Sequence, residues 1–472
     1  MESADATTIN ALGLCITLLF GLATVILPRK YAFVPFLAIG VTVTLGQIWY
    51  VVGLHFSVIR IIVVFGMARV ILRGEFRGLR INEIDKALIL YAVANALFFT
   101  LREGTSEAFI NRLGFAYNAL GLYFVFRFIV RTEEDIQRVF KTMALLVLPL
   151  AAMMILEKAT GRNFYSYFGG VPEYTVLRDG RLRCQGPFRH AILAGTFGAV
   201  TIPLIAGLWL SGRERVKTAL ATIAATFVVY ASASGGPVLS FGAAWIALAA
   251  WKIRANMRAV RWGILSAVIG LHLVMKSSVW YLIGRASEIV GGTGWHRSEL
   301  INQFLSRWDE WWLAGTSETA HWMPYTLRLY EKADITNHFI AQGVNGGFVT
   351  LLLFIALVAY AFRRVGLVLR EKGKEGAQPS MSFWIWGLGA SLFTHVVSFF
   401  GVSYFDQMVI YWYSLLAMIA SLPMTGSAYG LPNPLQKQPV AACRRISRCQ
   451  GDPGSSISVD STKAAVRGKK DS

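Results

Sequence analysis

Acid is scarce in this chain: 27 aspartates and glutamates stand against 46 lysines and arginines over 472 residues, a formal net charge of +19. Charge of either sign is thin, at 15% of residues against 55% hydrophobic, which argues against a soluble globular domain with a charged surface. Cysteine is almost absent. Cys15 lies in an apolar run, Cys184 in a polar segment, and the CRRISRC stretch holding Cys443 and Cys449 has neither a second cysteine pair nor histidine partners. Neither a disulfide framework nor a structural zinc site is expected. Also missing are a GxxxxGK[ST] loop, a dinucleotide fingerprint and an Asp-x-Asp pair, so no nucleotide-using site, metal or cofactor is expected.

What the chain has instead is apolar runs near the ~20 residues that a helix needs to cross a bilayer. They fall at 9–27, 31–50, 56–72, 87–101, 109–127, 142–157, 189–210, 218–232, 236–251, 262–282, 338–362, 383–400 and 406–422. Alternating strands of the barrel type are not seen, so the expected fold is all-α, a polytopic transmembrane helix bundle of about 12–13 spans. Glu2 and Asp5 replace the basic start of a secretory signal, and the first run is expected to stay as a helix.

Basic residues cluster after odd-numbered spans: Arg29 and Lys30, Arg73 to Lys86, Arg131 to Lys141, Arg213 to Lys217, Lys252 to Arg261, and Arg363 to Lys374. Cytoplasmic loops carry that excess, which puts the C-terminus inside and the N-terminus outside. Much of the net charge is then topology, and nucleic-acid binding needs no invoking. Residues 1–424 form the membrane region; 425–472, rich in Gly, Pro, Ser and basic residues, read as a disordered cytoplasmic tail.

Two segments exceed a connector, 158–188 and 283–337, and both fall outside. The first holds Lys158, Arg162, Arg178, Arg181 and Arg183, with Arg189 just beyond, against Glu173 and Asp179 only. A long loop translocates regardless of charge, so solvated cations are one explanation. An anion site at the outer membrane surface is the other, because guanidinium presents a planar fork suited to phosphate oxygens. Arg189 and His190 open the seventh span, with a turn expected at Gly186-Pro187.

The second segment contains RSELINQFLSRWDEWW, 297–312, whose apolar residues recur at helical spacing with charges opposite. An amphipathic helix on the membrane surface is expected, with Trp312 as one ring able to form a sugar platform or an interfacial belt. Candidate acids and bases are His296, Asp309, Glu310, Glu318, His321, Asp334 and His338, the last following Asn337 at the mouth of the eleventh span. Within spans, Arg60 would meet a diphosphate or Asp406, while Arg69 and Arg127 would snorkel to the inner surface.

Three stretches together resemble the O-antigen ligase and O-antigen polymerase superfamily of bacterial envelope glycosyltransferases, over roughly residues 50 to 420. RCQGPFRHAILAG is similar to the family's Arg-x-x-Gly-x-Phe stretch, with Arg183 and Gly186 on matching positions. In GGTGWHRSELINQF, Arg297 matches the arginine that opens the large periplasmic loop, and ADITNHFIAQGVNGGFVTLLLF resembles the His-Asn segment followed by Gly-x-x-Gly and a helix.

The resemblance implies the lipid-carrier-dependent membrane glycosyltransferase fold in the bacterial inner membrane. It implies transfer of a glycan from undecaprenyl diphosphate to a glycan or lipid A-core acceptor at the periplasmic face, in surface polysaccharide synthesis. Arg183 and Arg297, on the matched positions, would engage the diphosphate; from the residues' own placement Arg189, without a family match, is expected to join them, with Arg60, His190, Gly186, Asn337 and Trp312 around the substrates. His338 or Asp334 would serve as base. Two departures stand out: Thr336 occupies the family's histidine position, and thirteen spans replace the usual twelve. A transporter or flippase of lipid-linked glycan is the competing expectation, and it calls for inverted repeats and polar, interrupted helices at the midplane.

Overall fold

The computed structural model describes residues 7–51, 54–209, 215–289, 294–323, 332–376 and 379–423, and the chain is mostly helical. The expected tail at 425–472 lies outside the described residues. In chain order the helices are α1 (Ala11–Ile26), α2 (Val34–Thr42), α3 (Val58–Leu72), α4 (Glu83–Glu103), α5 (Ser106–Ile129), α6 (Glu133–Thr160), α7 (Ala191–Gly207) and α8 (Arg215–Ala231). They continue with α9 (Gly235–Ala249), α10 (Met257–Val274), α11 (Tyr281–Ile289), α12 (Gly294–Ser306), α13 (Trp308–Trp311), α14 (His338–Lys374), α15 (Pro379–Phe399) and α16 (Gln407–Ala420).

Among the described residues five stretches are long and apolar enough to cross a membrane: α4, α6, the run Gly235–Val274 in which a 3-10 stretch over Ala250–Asn256 joins α9 to α10, α14, and Ser382–Phe399 within α15. Local chemistry fixes their ends. Asn82 accepts from the amides of Ile84 and Asp85 while the Asp85 carboxylate accepts from the Asn82 amide, a reciprocal cap that starts α4; Thr132 and Asp135 start α6 the same way. Gly104 and Gly161 close these helices at φ 66° and 71°, a conformation glycine adopts without steric cost. Each capped start carries a charged turn, which is why both helices begin before their apolar runs.

Several expectations need correction. The second expected span, 31–50, is helical only over α2; β2 (Gln47–Val51) then pairs with β3 (Leu54–Ser57) and with β1 (Thr7–Thr8). The VTVT stretch at 41–44 is β-branched, and Gln47 is pinned by its amide to the carbonyls of Thr44 and Phe168, so the chain leaves the helix there. The tenth expected span stops at Val274, and the surface helix expected over 297–312 is two helices broken at Arg307. Arg69 and Arg127 do not snorkel: Arg69 is fully buried, forked onto Glu75 at 2.9 and 2.7 Å and onto the Leu27 carbonyl at 2.6 Å, and Arg127 is buried against Asp85 at 3.3 Å. Carboxylates within reach make burial cheaper than reaching for the surface.

Cross-element bonds sort the connections into two ends. At one end Arg29 reaches the Ile129 carbonyl and Asp135, Asn82 the Ala420 carbonyl, Arg363 Glu83, and Lys372 Glu133. At the other, Asn10 meets the Tyr167 carbonyl, Gln407 the Pro187 carbonyl, Ser403 the Ile335 carbonyl, and the amide of Cys184 the Ala231 carbonyl. Both long polar segments therefore share this second end. Helix α14 is broken near its start by Gly346 and Gly347, the latter at φ 72°, and folds its first turns against Phe354 further along.

Candidate functional site

The polar end is built around a hairpin. β4 (Val176–Arg178) and β5 (Arg181–Arg183) pair antiparallel across Asp179-Gly180, both at positive φ, the two-residue turn that matches strand twist. In this register Arg178 stands opposite Arg181 and Val176 opposite Arg183, so all three arginines share one face. The chain then turns at Gly186, φ 55°, held by a buried carboxylate: Glu157 of α6 accepts from the amides of Gln185 at 3.0 Å and Gly186 at 2.8 Å and from the Thr175 hydroxyl at 3.1 Å. Asn163 donates to the Gly186 carbonyl at 2.8 Å. Gly186 thus shapes the loop, with Leu150 and Met154 beneath it.

That clamp delivers Arg183, 9% exposed, to the turn between α8 and α9, where its Nη2 donates to the Ser234 hydroxyl at 2.8 Å. Ser234 donates in turn to the Ser232 carbonyl and makes no side-chain cap on α9, leaving the amides of that helix start uncapped by it. Arg297, 7% exposed, enters from α12: a Cβ placed on Gly236 would stand 3.4 Å from its Nη2, and one on Gly401 3.6 Å from its Nε. Two buried guanidiniums thus converge on the first turn of one helix. Arg183 Nε is buried without a hydrogen-bond partner among the described residues. Burial lowers the proton affinity of both arginines, and the positive charge of Arg178 lowers each further. Guanidinium remains charged regardless, so the concentrated positive charge is a standing cost that an anion would relieve.

His190 is the N-cap of α7 and accepts from the Ile192 amide through Nδ1 at 3.1 Å. Burial first, then Arg183 and Arg178, push its proton affinity down to about 4. Arg189 sits 3.7 Å from Asp406, one of the two partners expected for Arg60; the Arg60 side chain lies over Gly114 of α5, and its carbonyl accepts from the Tyr117 hydroxyl at 3.4 Å. Asp406 holds φ 46°, uncommon for a residue with a side chain.

The 332–338 stretch runs beside this cluster. The Asp334 carbonyl bonds His296 Nε2 at 3.0 Å, next in sequence to Arg297, and Asn337 caps α14 by accepting from Phe339 and Ile340. His338 accepts from the Tyr404 amide through Nδ1 at 3.2 Å, its ring packed among Phe354, Phe399 and Tyr404. A neutral ring so bonded carries its proton on Nε2. Trp312 is 46% exposed and stacks on Trp308, away from the arginines' contacts described above. Among the described residues no group of three His, Cys, Asp or Glu side chains could hold a metal ion.

Sequence reasoning overlooked Glu157 and Ser234, which aim the first arginine. Glu157 read as the end of an apolar run, and Ser234 sat unremarked in SASGG between two spans. The Asp179-Gly180 pair between alternating residues was a legible hairpin signal. No family model matches the chain, and no curated protein matches it significantly.

Proposed function

We propose that this protein is a membrane glycosyltransferase of the O-antigen ligase and polymerase type, moving a glycan from an undecaprenyl-diphosphate carrier to an acceptor hydroxyl at the periplasmic face of a bacterial inner membrane. The observation that carries the reading is the convergence of buried Arg183 and Arg297 on the uncapped start of α9, at the end of the helices that also gathers both long polar segments. Two forked cations and a helix N-terminus suit a diphosphate better than they suit water or a lone carboxylate.

In the reaction, the acceptor oxygen forms a bond to the anomeric carbon as the bond from that carbon to the carrier phosphate breaks. The electron pair leaves with the diphosphate, and Arg183 and Arg297 stabilise the growing charge. The hydroxyl proton needs a base. His338 has Nδ1 occupied by the Tyr404 amide and its proton on Nε2, which leaves its ring no free lone pair for a further proton, so Asp334 is the base we favour. Arg189, ion-paired to Asp406, orients the 185–190 turn from the other side.

The test is transfer by the purified full chain given lipid-linked glycan and acceptor. Covalent product that disappears in Arg183→Ala and Arg297→Ala supports the reading; movement of the lipid across the bilayer without new covalent product supports the flippase instead.

A further inference from the structure

The same end of the protein carries a second polar cavity that the reading above leaves unused. It has a volume of ≈ 490 Å³ and lies between the α4–α5 connection, the 316–319 loop and the first turns of α14. That size suits one or two sugar rings. Its floor is Arg112, whose guanidinium lies 3.5 Å from the Phe99 ring centroid, so the ring covers one face and leaves the in-plane N–H edges for recognition. Among the described residues those edges have only weak partners, the amide oxygens of Asn95 at 3.3 Å and Asn345 at 3.4 Å, and Nε is buried and unbonded. Lys332 adds a second cation at the rim. Among the described residues the acids that line the cavity are Glu103 and Glu107, and Glu103 is already paired with Arg102 at 2.7 Å. Asn111, Thr316 and Thr319 supply neutral donors and acceptors of the kind that sugar hydroxyls use.

We propose that this cavity is the acceptor site and that it takes an acidic saccharide, a sugar bearing a carboxylate, with Arg112 as the carboxylate's fork and Lys332 as its second contact. A carboxylate replaces two long bonds to neutral amides with charge-assisted ones. The position fits an acceptor: the cavity is also lined by Ala333 and Ile335, the neighbours of Asp334, and Gln342 links Tyr91 in the wall of α4 to His338. The acceptor role rests on the glycosyltransferase reading; the saccharide binding does not.

The experiment separates the two. Full-length protein in lipid nanodiscs is applied to arrayed oligosaccharides containing uronic acids and to the same oligosaccharides with the carboxyl reduced to an alcohol. Wild type is expected to favour the acidic forms by about tenfold, as loss of a charge-assisted pair implies. Arg112→Gln and Lys332→Gln are expected to lose that preference, and Arg183→Ala to keep it. Lys332 is exposed, so its substitution leaves folding intact and keeps the test sharp if Arg112→Gln fails to fold. Equal retention of both forms by wild type, no retention at all, or an undiminished preference in the Lys332→Gln protein would overturn the proposal.

Discussion

Arg183 and Arg297 each spend burial on a charge, and neither position tolerates a neutral substitute if they hold a diphosphate. Alanine at either is expected to lower transfer about 10²–10³-fold, the scale for losing one preorganised donor to developing charge. Lysine at 183 should recover little, because an ammonium lacks the planar fork with which one guanidinium bonds Ser234 and presents parallel donors to a phosphate. Asp334→Asn is expected to reduce turnover with donor affinity unchanged, while His338→Gln, which can still accept from the Tyr404 amide, should cost far less; equal losses would assign the base wrongly. His190 gives a pH signature. Its proton affinity in the fold, about 4, lies below the ordinary 6.5, so the stability of the neutral cap is fully present above pH 6.5 and drains as pH falls toward 4. In His190→Asn, a non-titrating cap, the fall in melting temperature between pH 7 and 4 should be smaller than in wild type. At this scale the sequence offered Arg183 through its crowd of cations in the 158–188 segment and Arg297 through the family resemblance alone; it hid Glu157 and Ser234, whose roles exist only once the 158–188 segment folds back onto α6 and α9.

The elements that position the site are turns more than helices. Glu157→Gln presents an amide donor where two backbone amides now bond a carboxylate, so the amides of Gln185 and Gly186 should lose protection in hydrogen exchange while the bonds of α6 itself hold. Gly347 has φ 72°, and a Cβ there would stand 2.5 Å from the Leu313 carbonyl; Gly347→Ala is expected to cost about 1–3 kcal/mol and to displace the 313–316 loop. Apolar periodicity found the cores of α4 to α9 and α14 to α16, since lipid-length helices are written in composition. It misjudged 31–50, where the run is mostly apolar but the pull of Gln47 and a β-branched stretch ends the helix at Thr42. It also cut α4 and α6 short, because hydropathy does not see a capping box.

At the scale of the whole molecule, the buried cations of the opposite end, Arg69 on Glu75 and Arg127 on Asp85, are structural, so a basic chain keeps only part of its charge for ligands. Among the described residues, five helices of membrane length and two dissimilar ends give an orientation that labelling can check. Cysteine placed at Arg178 should react with an impermeant thiol reagent on intact cells, and cysteine at Lys372 only after permeabilisation. The most direct measurement is surface glycan in host cells lacking the gene and supplied with wild type, Arg183→Ala or Arg297→Ala, each shown to reach the membrane in equal amount. Mature polysaccharide restored by wild type and absent from both arginine variants is the expected result; near-normal polysaccharide from the variants would contradict the assignment.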